Sequence, residues 1–421
     1  MISTGLDRLL ADPRPLRGRS YGLLAHAAAV AHGPRPIHLA LAATEAGPPR
    51  ALFSPEHGFY GVEQDMVATA GGRDPWTGAA IASLYGDAES TLRPRPSAFA
   101  GLDLLIVDLQ DVGSRYYTYA ATAIWAAEAA LAAGCEVWVL DRPNPLGGLA
   151  VEGNLPDPAY SSFVGAFALP VRHGLTLGEL MRLEASRRGW GRGLEIWVME
   201  GWTRAMHWGE TCLPWIAPSP NMPTPLTALI YPGGCLIEAT ELSEGRGTTR
   251  PFQLAGAPGL DPLALADRLA ALELPGVAFL PTFFRPQFQK HRGTLCGGVE
   301  LVLTDPLLFR PYATGVHLLR ACAQSAPRQF AWRAAPYEFV SDRPAIDLLT
   351  GGPACRAAVE SAGTGPLDDW MASWSSDEAR FRAERRAVLL YPEPAPDREA
   401  AAAPASGGQR EVGVGAAEPH G

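Results

Sequence analysis

The sequence contains almost no lysine, because only Lys290 among the 35 lysine and arginine residues is a lysine. A P-loop is excluded, since its lysine must precede Ser or Thr and Lys290 precedes His291. Schiff-base or pyridoxal chemistry would have to use Lys290 alone. Charged residues reach only 19%, below the usual share of about 25%, and the net charge is −9. A mildly acidic chain is not expected to bind nucleic acid.

Long apolar runs are also missing. The first residues show no basic start followed by an apolar run and a cleavage site, so no signal peptide is predicted. No apolar stretch approaches the roughly 20 residues that span a membrane. We therefore expect no membrane insertion and a cytoplasmic protein as written, with export open if the true start lies upstream. The six cysteines form no CxxC pair and are predicted to be small buried residues.

Three common chemical motifs are absent. No GxGxxG follows the first predicted strand, no GxSxG appears, and no HExxH or other close histidine spacing appears. These absences argue against a tightly bound dinucleotide, a nucleophile elbow and a zinc site. We predict no cofactor and no metal ligands, with a carboxylate-held magnesium left open.

Strand-like and helix-like segments alternate through the first half of the chain. The run LDLLIVDL at 102–109 is a predicted buried strand, a helix follows at 119–133, and EVWVL at 136–140 is the next strand. A further helix at 175–188 has Thr176 as N-cap and Glu179 three residues later. This rhythm predicts an α/β fold with a Rossmann-like, doubly wound N-terminal domain. We assign residues 1–225 to that domain, 226–391 to a smaller second domain, and the Pro/Ala/Gly-rich segment 392–421 to a disordered tail.

Three polar motifs follow predicted strands. They are SPEHG after 51–53, QDVGSRYYTY after Leu109, and DRPNP after Leu140. In a doubly wound sheet, ligands bind beyond the carboxyl ends of the strands. We therefore expect these motifs to meet at one rim.

The first two motifs carry the groups best suited to chemistry. Glu56 and His57 suit acid–base catalysis, although a helix cap or an ion pair is the structural alternative. In the second motif, Asp111 and Arg115 could instead form an ion pair that shapes the loop. The second motif also supplies Gln110, Tyr116 and Tyr117, and the tyrosines suit either sugar stacking or helix packing.

Other polar loops supply candidate binding residues. The prolines of DRPNP make Asp141, Arg142 and Asn144 rigid, and a plain structural turn is the alternative. Arg172, beside His173 and before a helix N-terminus, suits a carboxylate or phosphate clamp. The remaining candidates lie in two further loops, SPNMP and ELSEGRGTTR: Asn221, Glu241, Glu244 and Arg246.

Together these stretches resemble the exo-β-N-acetylmuramidase family, bacterial glycosidases of peptidoglycan turnover. The shared stretches run from about residue 5 to residue 391: GLDRLL, LFSPEHG, VDLQDVGSRYYTY, LDRPNP, PVRHGLTLGEL, PSPNMPT, LSEGRGTTRPF and CGGVEL. One departure is Ala25-His26-Ala27-Ala28-Ala29, where relatives often carry a polar Thr-Asn-Pro-Thr-Gly-like segment.

The resemblance implies a Rossmann-like catalytic domain, a smaller α/β C-terminal domain, and a site in the cleft between them. It implies release of terminal N-acetylmuramic acid from the non-reducing end of muropeptide-derived glycans or disaccharides, with Glu56 as the catalytic glutamate. We assign His57 and Asp111 to catalysis beside Glu56, and the other candidates to substrate binding. The oligomeric state is left open.

The second catalytic carboxyl is not fixed by the sequence. Glycoside cleavage usually needs two carboxyl groups, and the candidates are Asp111, Asp141, Glu241 and Glu244. Retention, inversion and assistance by the N-acetyl group all remain open. Arg142, Arg172 or Arg246 could bind the lactyl carboxylate of muramic acid. Two other functions stay possible: a non-catalytic glycan sensor, and an unrelated metal-dependent hydrolase or phosphotransferase.

Overall fold

The computed structural model describes residues 2–393, so the predicted tail lies, from residue 394 onward, outside the described residues. The larger sheet, in the N-terminal domain, contains seven strands: β1 Tyr21–Ala25, β4 Ala51–Ser54, β5 Gly72–Arg73, β6 Ala80–Ser83, β7 Leu104–Asp108, β8 Glu136–Leu140 and β9 Leu194–Trp197. A separate small hairpin pairs β2 Val30–Ala31 with β3 Arg35–Pro36. The helices of this domain are α1 Gly5–Ala11, α2 Ile37–Ala42, α3 Tyr119–Ala132 and α4 Leu177–Arg188.

The order of strands in the larger sheet is β5-β6-β4-β1-β7-β8-β9. All neighbours are parallel except β5, which runs antiparallel on the β6 edge. Counted along the chain, the six parallel strands therefore lie in the order 3-2-1-4-5-6, which is the Rossmann arrangement. The predicted Rossmann-like, doubly wound α/β fold is confirmed.

Both faces of the sheet are covered, as the continuous apolar run at β7 predicts. Leu104 and Ile106 belong to a core that includes residues of α1 and α2, whereas Leu105 and Val107 pack in the core that contains α3 and α4. Successive side chains point to opposite faces of a strand. Helices on both faces bury all four side chains.

The C-terminal domain is smaller and also mixed. Its antiparallel sheet has the order β10-β12-β11, with β10 Leu254–Ala257, β11 Val277–Phe284 and β12 Cys296–Leu303. Its helices are α5 Pro225–Gly234, α6 Pro262–Ala270, α7 Pro311–Ser325, α8 Ala345–Thr350, α9 Ala354–Glu360 and α10 Gly365–Arg385. Helices α5 and α7 cross at Gly233 and Gly315. A Cβ at Gly233 would lie 2.0 Å from the carbonyl oxygen of Pro311, so the crossing requires glycine.

The last helix returns to the first domain. Arg382 and Arg385 of α10 donate to backbone carbonyls at Leu149, Val151 and His173. These contacts join the two domains beside the sheet. Among residues 2–393, no helix is both long enough and apolar enough to cross a membrane.

Candidate active site

A cavity opens between the two domains where the β4 strand ends. The space between its walls, counted together with the open mouth, is about 480 Å³. Sixteen of the described residues line it: Glu56, His57, Asp65, Tyr116, Tyr117, Thr118, Val164, Ser219, Asn221, Met222, Tyr231, Glu238, Arg246, Phe252, Tyr337 and Glu338. Both the β4 and the β7 strand ends contribute to it, as the motif positions predict.

Glu56 is presented by a strained turn directly after β4. His57 has φ +69° and Gly58 has φ +81°, so the chain takes two left-handed residues in succession. Such a conformation is uncommon for a non-glycine residue and often marks a functional site. Thr118 donates its hydroxyl to Glu56 Oε2 at 2.8 Å, and the Met66 backbone N–H donates to Oε1 at 3.2 Å. The carboxyl group is buried and fixed in one orientation.

His57 is held by its own loop. Its Nδ1 lies 2.9 Å from the backbone carbonyl oxygen of Glu63. A carbonyl oxygen only accepts, so Nδ1 carries the proton and Nε2 holds the lone pair when the ring is neutral. The ring borders the cavity next to Glu56 and can exchange a proton there.

One wall of the cavity is aromatic. Tyr231 meets Tyr117 and Tyr116 edge-on, both with ring centroids 5.8 Å apart, and meets Phe252 at 4.9 Å. Edge-to-face packing of this kind holds each ring in a defined position. The Tyr117 hydroxyl is buried and has no hydrogen-bond partner among the described residues. The wall therefore offers a rigid aromatic surface to a ligand.

Next to this aromatic wall the cavity carries a network of charges, since the Arg246 guanidinium lies 5.0 Å from the centre of the Phe252 ring. Arg246 contacts Glu238 at 3.0 Å and both Asp65 and Glu244 at 3.3 Å. Among the described lining residues Arg246 is the only lysine or arginine, and three carboxylates surround it. These ion pairs use the two terminal nitrogens of Arg246, whereas its Nε has no hydrogen-bond partner among the described residues.

The single lysine completes this network. Lys290 Nζ lies 2.9 Å from Glu244 and also donates to the carbonyl oxygens of Ile237, Glu238 and Leu242. Because the ammonium group donates to these four acceptors, it cross-links the loop that carries Arg246. Its place in the fold is structural, and it does not line the cavity.

Three carboxyl groups in the cavity were not among the sequence candidates: Asp65, Glu238 and Glu338. Burial raises the pKa of Glu238, and Arg246 opposes that rise. Glu238 interrupts an apolar run, Leu236 to Ala239. A lone carboxylate in such a run is costly to bury, so it is a signal in the sequence for a functional residue. Asp65 and Glu338 lie in segments without any comparable pattern.

Of the predicted site residues, six line the cavity: Glu56, His57, Tyr116, Tyr117, Asn221 and Arg246. Glu244 lies just behind it, paired with Arg246 and Lys290. Glu241 is exposed and contributes its backbone carbonyl to His291. The other candidates lie elsewhere, and their partners show what each does in the fold.

Four candidates stabilise the fold at the carboxyl ends of the sheet strands: Asp141, Arg142, Gln110 and Asn144. Asp141 accepts from the Thr176 hydroxyl at 2.7 Å and from the Gly178 N–H at 2.9 Å, which caps α4, and it also accepts from Tyr391. Burial raises the pKa of Asp141 to about 6, and these donors oppose the rise. Arg142 forms a buried bidentate ion pair with Asp108.

Gln110 and Asn144 likewise hold backbone. Gln110 donates to the Pro143 carbonyl oxygen at 2.9 Å, and Asn144 donates to that of Leu175 at 2.9 Å. Gln110 and Arg142 also border a second, smaller cavity near β1, away from Glu56.

The remaining candidates are buried beneath the loops. Arg115 donates to the carbonyl oxygens of Asn154, Leu169 and Leu349, and Arg172 donates to that of Leu146 at 2.6 Å. Their guanidinium groups are thereby engaged with backbone.

Asp111 and His173 form a buried pair. The two side chains approach to 4.0 Å, and neither lines the cavity. A catalytic role for Asp111 stays a prediction.

Comparison with known proteins finds similarity along nearly the whole chain. The family model described as exo-beta-N-acetylmuramidase NamZ, N-terminal, matches residues 21–226, and its C-terminal counterpart matches residues 229–391. The chain is 38% identical over 391 residues to the peptidoglycan beta-N-acetylmuramidase NamZ of Bacillus subtilis (strain 168), covering 93% of this chain and 91% of that protein.

Two solved structures of DUF1343 family proteins from Bacteroides fragilis NCTC 9343 have the same fold. One has a TM-score of 0.83 at 30% identity, covering 93% of this chain and 99% of the other. The second has a TM-score of 0.72 at 28% identity, covering 94% of this chain and 100% of the other.

Proposed function

Because this chain belongs to the exo-β-N-acetylmuramidase family, we propose that it releases terminal N-acetylmuramic acid from the non-reducing ends of peptidoglycan-derived glycans. It is an enzyme of the glycosidase class, as both family models and the Bacillus relative indicate. The observation that carries the finer proposal is the carboxyl group of Glu56, fixed by two donors in the cavity between the domains.

Glu56 acts in proton transfer during cleavage. Glycoside hydrolysis requires one group that protonates the leaving oxygen and another that activates water or attacks the sugar. Glu56 is buried and points into the cavity, so a bound glycosidic bond can reach it. His57, with its Nδ1 bound to a carbonyl, lies beside it and supports the same proton transfer.

The cavity walls suit a sugar. Asn221 donates its amide N–H to Gln64 at 2.9 Å, which leaves its carbonyl oxygen to accept from a sugar hydroxyl. Tyr117 and Tyr231 also line the cavity, so a sugar there meets a phenol and an aromatic ring. Hydroxyl, amide and aromatic groups together are a combination that binds a pyranose ring.

The test replaces Glu56 with glutamine and measures hydrolysis of a chromogenic N-acetylmuramide. We expect at least about a 10²-fold loss of turnover with an unchanged melting temperature, because glutamine keeps the shape but cannot transfer the proton. The matched control is Glu89→Gln, which changes an exposed glutamate of the same domain and should retain activity. Near wild-type hydrolysis by Glu56→Gln would refute the role of Glu56.

A further inference from the structure

Glu338 lies at the tip of a tight turn of the C-terminal domain, at the cavity. Tyr337 and Val340 exchange two backbone hydrogen bonds, both of 2.9 Å. Between them, Glu338 has φ +46° and Phe339 has φ +68°. Turns with two left-handed central residues normally carry Asn-Gly or similar pairs. Residues with a side chain rarely adopt this conformation, so the turn holds Glu338 in place against backbone strain.

The turn brings Glu338 into the same cavity as Glu56. Glu338 is 7% exposed, and its Oε2 accepts from the Tyr85 hydroxyl at 3.3 Å. The ion pairs of Arg246 go to Asp65, Glu238 and Glu244. Burial raises the pKa of Glu338 well above its usual value, and the charges of Glu56, Glu238 and Asp65 raise it further. Burial and these neighbouring charges favour the protonated form of Glu338.

Glu56 lines the same cavity and has different hydrogen-bond partners. Both of its oxygens accept hydrogen bonds, from the Thr118 hydroxyl and the Met66 N–H, as the oxygens of a carboxylate do. Two carboxyl groups whose environments differ in this way divide the roles of acid and base between them. We propose that Glu338 is the second catalytic carboxyl, the acid that protonates the leaving oxygen, while Glu56 serves as the base.

The step balances with water as the co-reactant. Glu338 gives its proton to the glycosidic oxygen as the bond between that oxygen and C1 breaks, and the bonding electrons leave with the oxygen. The oxygen of a water molecule forms a bond to C1, and the proton that this water loses goes to Glu56. Return of that proton from Glu56 to Glu338 through solvent restores the pair. The inference rests on the proposed function and adds the second group to it.

The experiment compares two substrates that differ in leaving group. A 4-nitrophenyl N-acetylmuramide leaves without help, whereas the disaccharide of N-acetylmuramic acid and N-acetylglucosamine needs a proton. We expect Glu338→Gln to lower kcat/KM for the disaccharide by at least about 10²-fold and for the aryl glycoside by less than about tenfold. Glu56→Gln should lower both by a similar factor.

The matched control is Asp342→Asn, an exposed carboxyl in the same segment, which should leave both substrates unaffected. Melting curves verify that each variant is folded. If Glu338→Gln fails to fold, Glu338→Asp, which keeps the acid but retracts it, should show the same substrate bias.

Disaccharide turnover within about threefold of wild type, or equal losses on both substrates, would overturn the role of Glu338. In both outcomes an active wild type would leave the proposed function standing. Inactivity of the wild type on both substrates would overturn the two together.

Discussion

Replacing Asp111 with asparagine should stabilise the protein at alkaline pH. Asp111 is buried, its Oδ2 accepts from the Gly113 N–H at 2.6 Å, and its Oδ1 has no hydrogen-bond partner among the described residues. His173 lies 4.0 Å away, but burial lowers the pKa of His173 to about 3, so the ring is neutral and does not compensate the carboxylate. Burial therefore raises the pKa of Asp111 from 3.8 to about 7.

The size of the effect follows from that rise. Between pH 3.8 and about 7 the folded protein holds a proton that the unfolded chain has lost, so stability falls as pH rises through this window. The whole window corresponds to about 4 kcal/mol, of which about 3 kcal/mol falls between pH 5 and pH 8. Asparagine cannot ionise, so this part of the pH dependence should disappear in Asp111→Asn.

The assay is urea unfolding of both proteins at pH 5 and pH 8, with kinetics at pH 7. We expect the variant to lose about 3 kcal/mol less than wild type on going to pH 8, and to keep kcat/KM within about threefold. An unchanged pH dependence would refute the burial argument. A loss of at least about 10²-fold in turnover would instead establish the catalytic role that the motif predicts.

Three further substitutions test other parts of the structure. Thr118→Val removes the hydroxyl that holds Glu56, and kcat/KM should fall about tenfold in steady-state kinetics; an unchanged value would contradict the contact. Arg204→Met leaves Glu179 buried without its ion-pair partner, so urea unfolding should show a loss of about 3–5 kcal/mol, and a loss under about 1 kcal/mol would contradict this. Gly113→Ala adds a Cβ to a residue with φ +75°, and that Cβ would lie 2.3 Å from the side-chain oxygen of Asn144. The protein should lose about 1–3 kcal/mol of stability, seen as a drop of several degrees in melting temperature, and no drop would contradict the crowding.

Much of the N-terminal fold could be predicted from the sequence, because its signals are local. The run at 102–109 is apolar throughout, and the strand it predicts is buried on both faces. Thr176 and Glu179 form the predicted capping box, with each side chain bonded to the backbone of the other. Strand order follows from right-handed connections between parallel strands, so the rhythm of elements largely fixes the doubly wound sheet.

The cavity was harder to predict, since it depends on contacts between distant segments. Glu56 stands out because its turn carries proline, histidine and glycine in sequence. Arg142 and Asp141 have equally conspicuous motifs, yet their side chains hold the sheet edge and the start of α4. Glu338 lies in no recognisable sequence motif. It reaches the cavity only through the position of the C-terminal domain next to the N-terminal one. A polar motif at a strand end does not distinguish a side chain that lines a site from one that supports it.

The central claim is that this cavity cleaves a terminal muramic acid. Its most direct test is incubation of the protein with N-acetylmuramyl–N-acetylglucosamine, followed by mass analysis of the products. We predict equal amounts of the two free monosaccharides with wild type and intact disaccharide with Glu56→Gln. Intact disaccharide after incubation with folded wild-type protein, even where calorimetry shows that it binds, would contradict the claim and identify a glycan-binding protein instead.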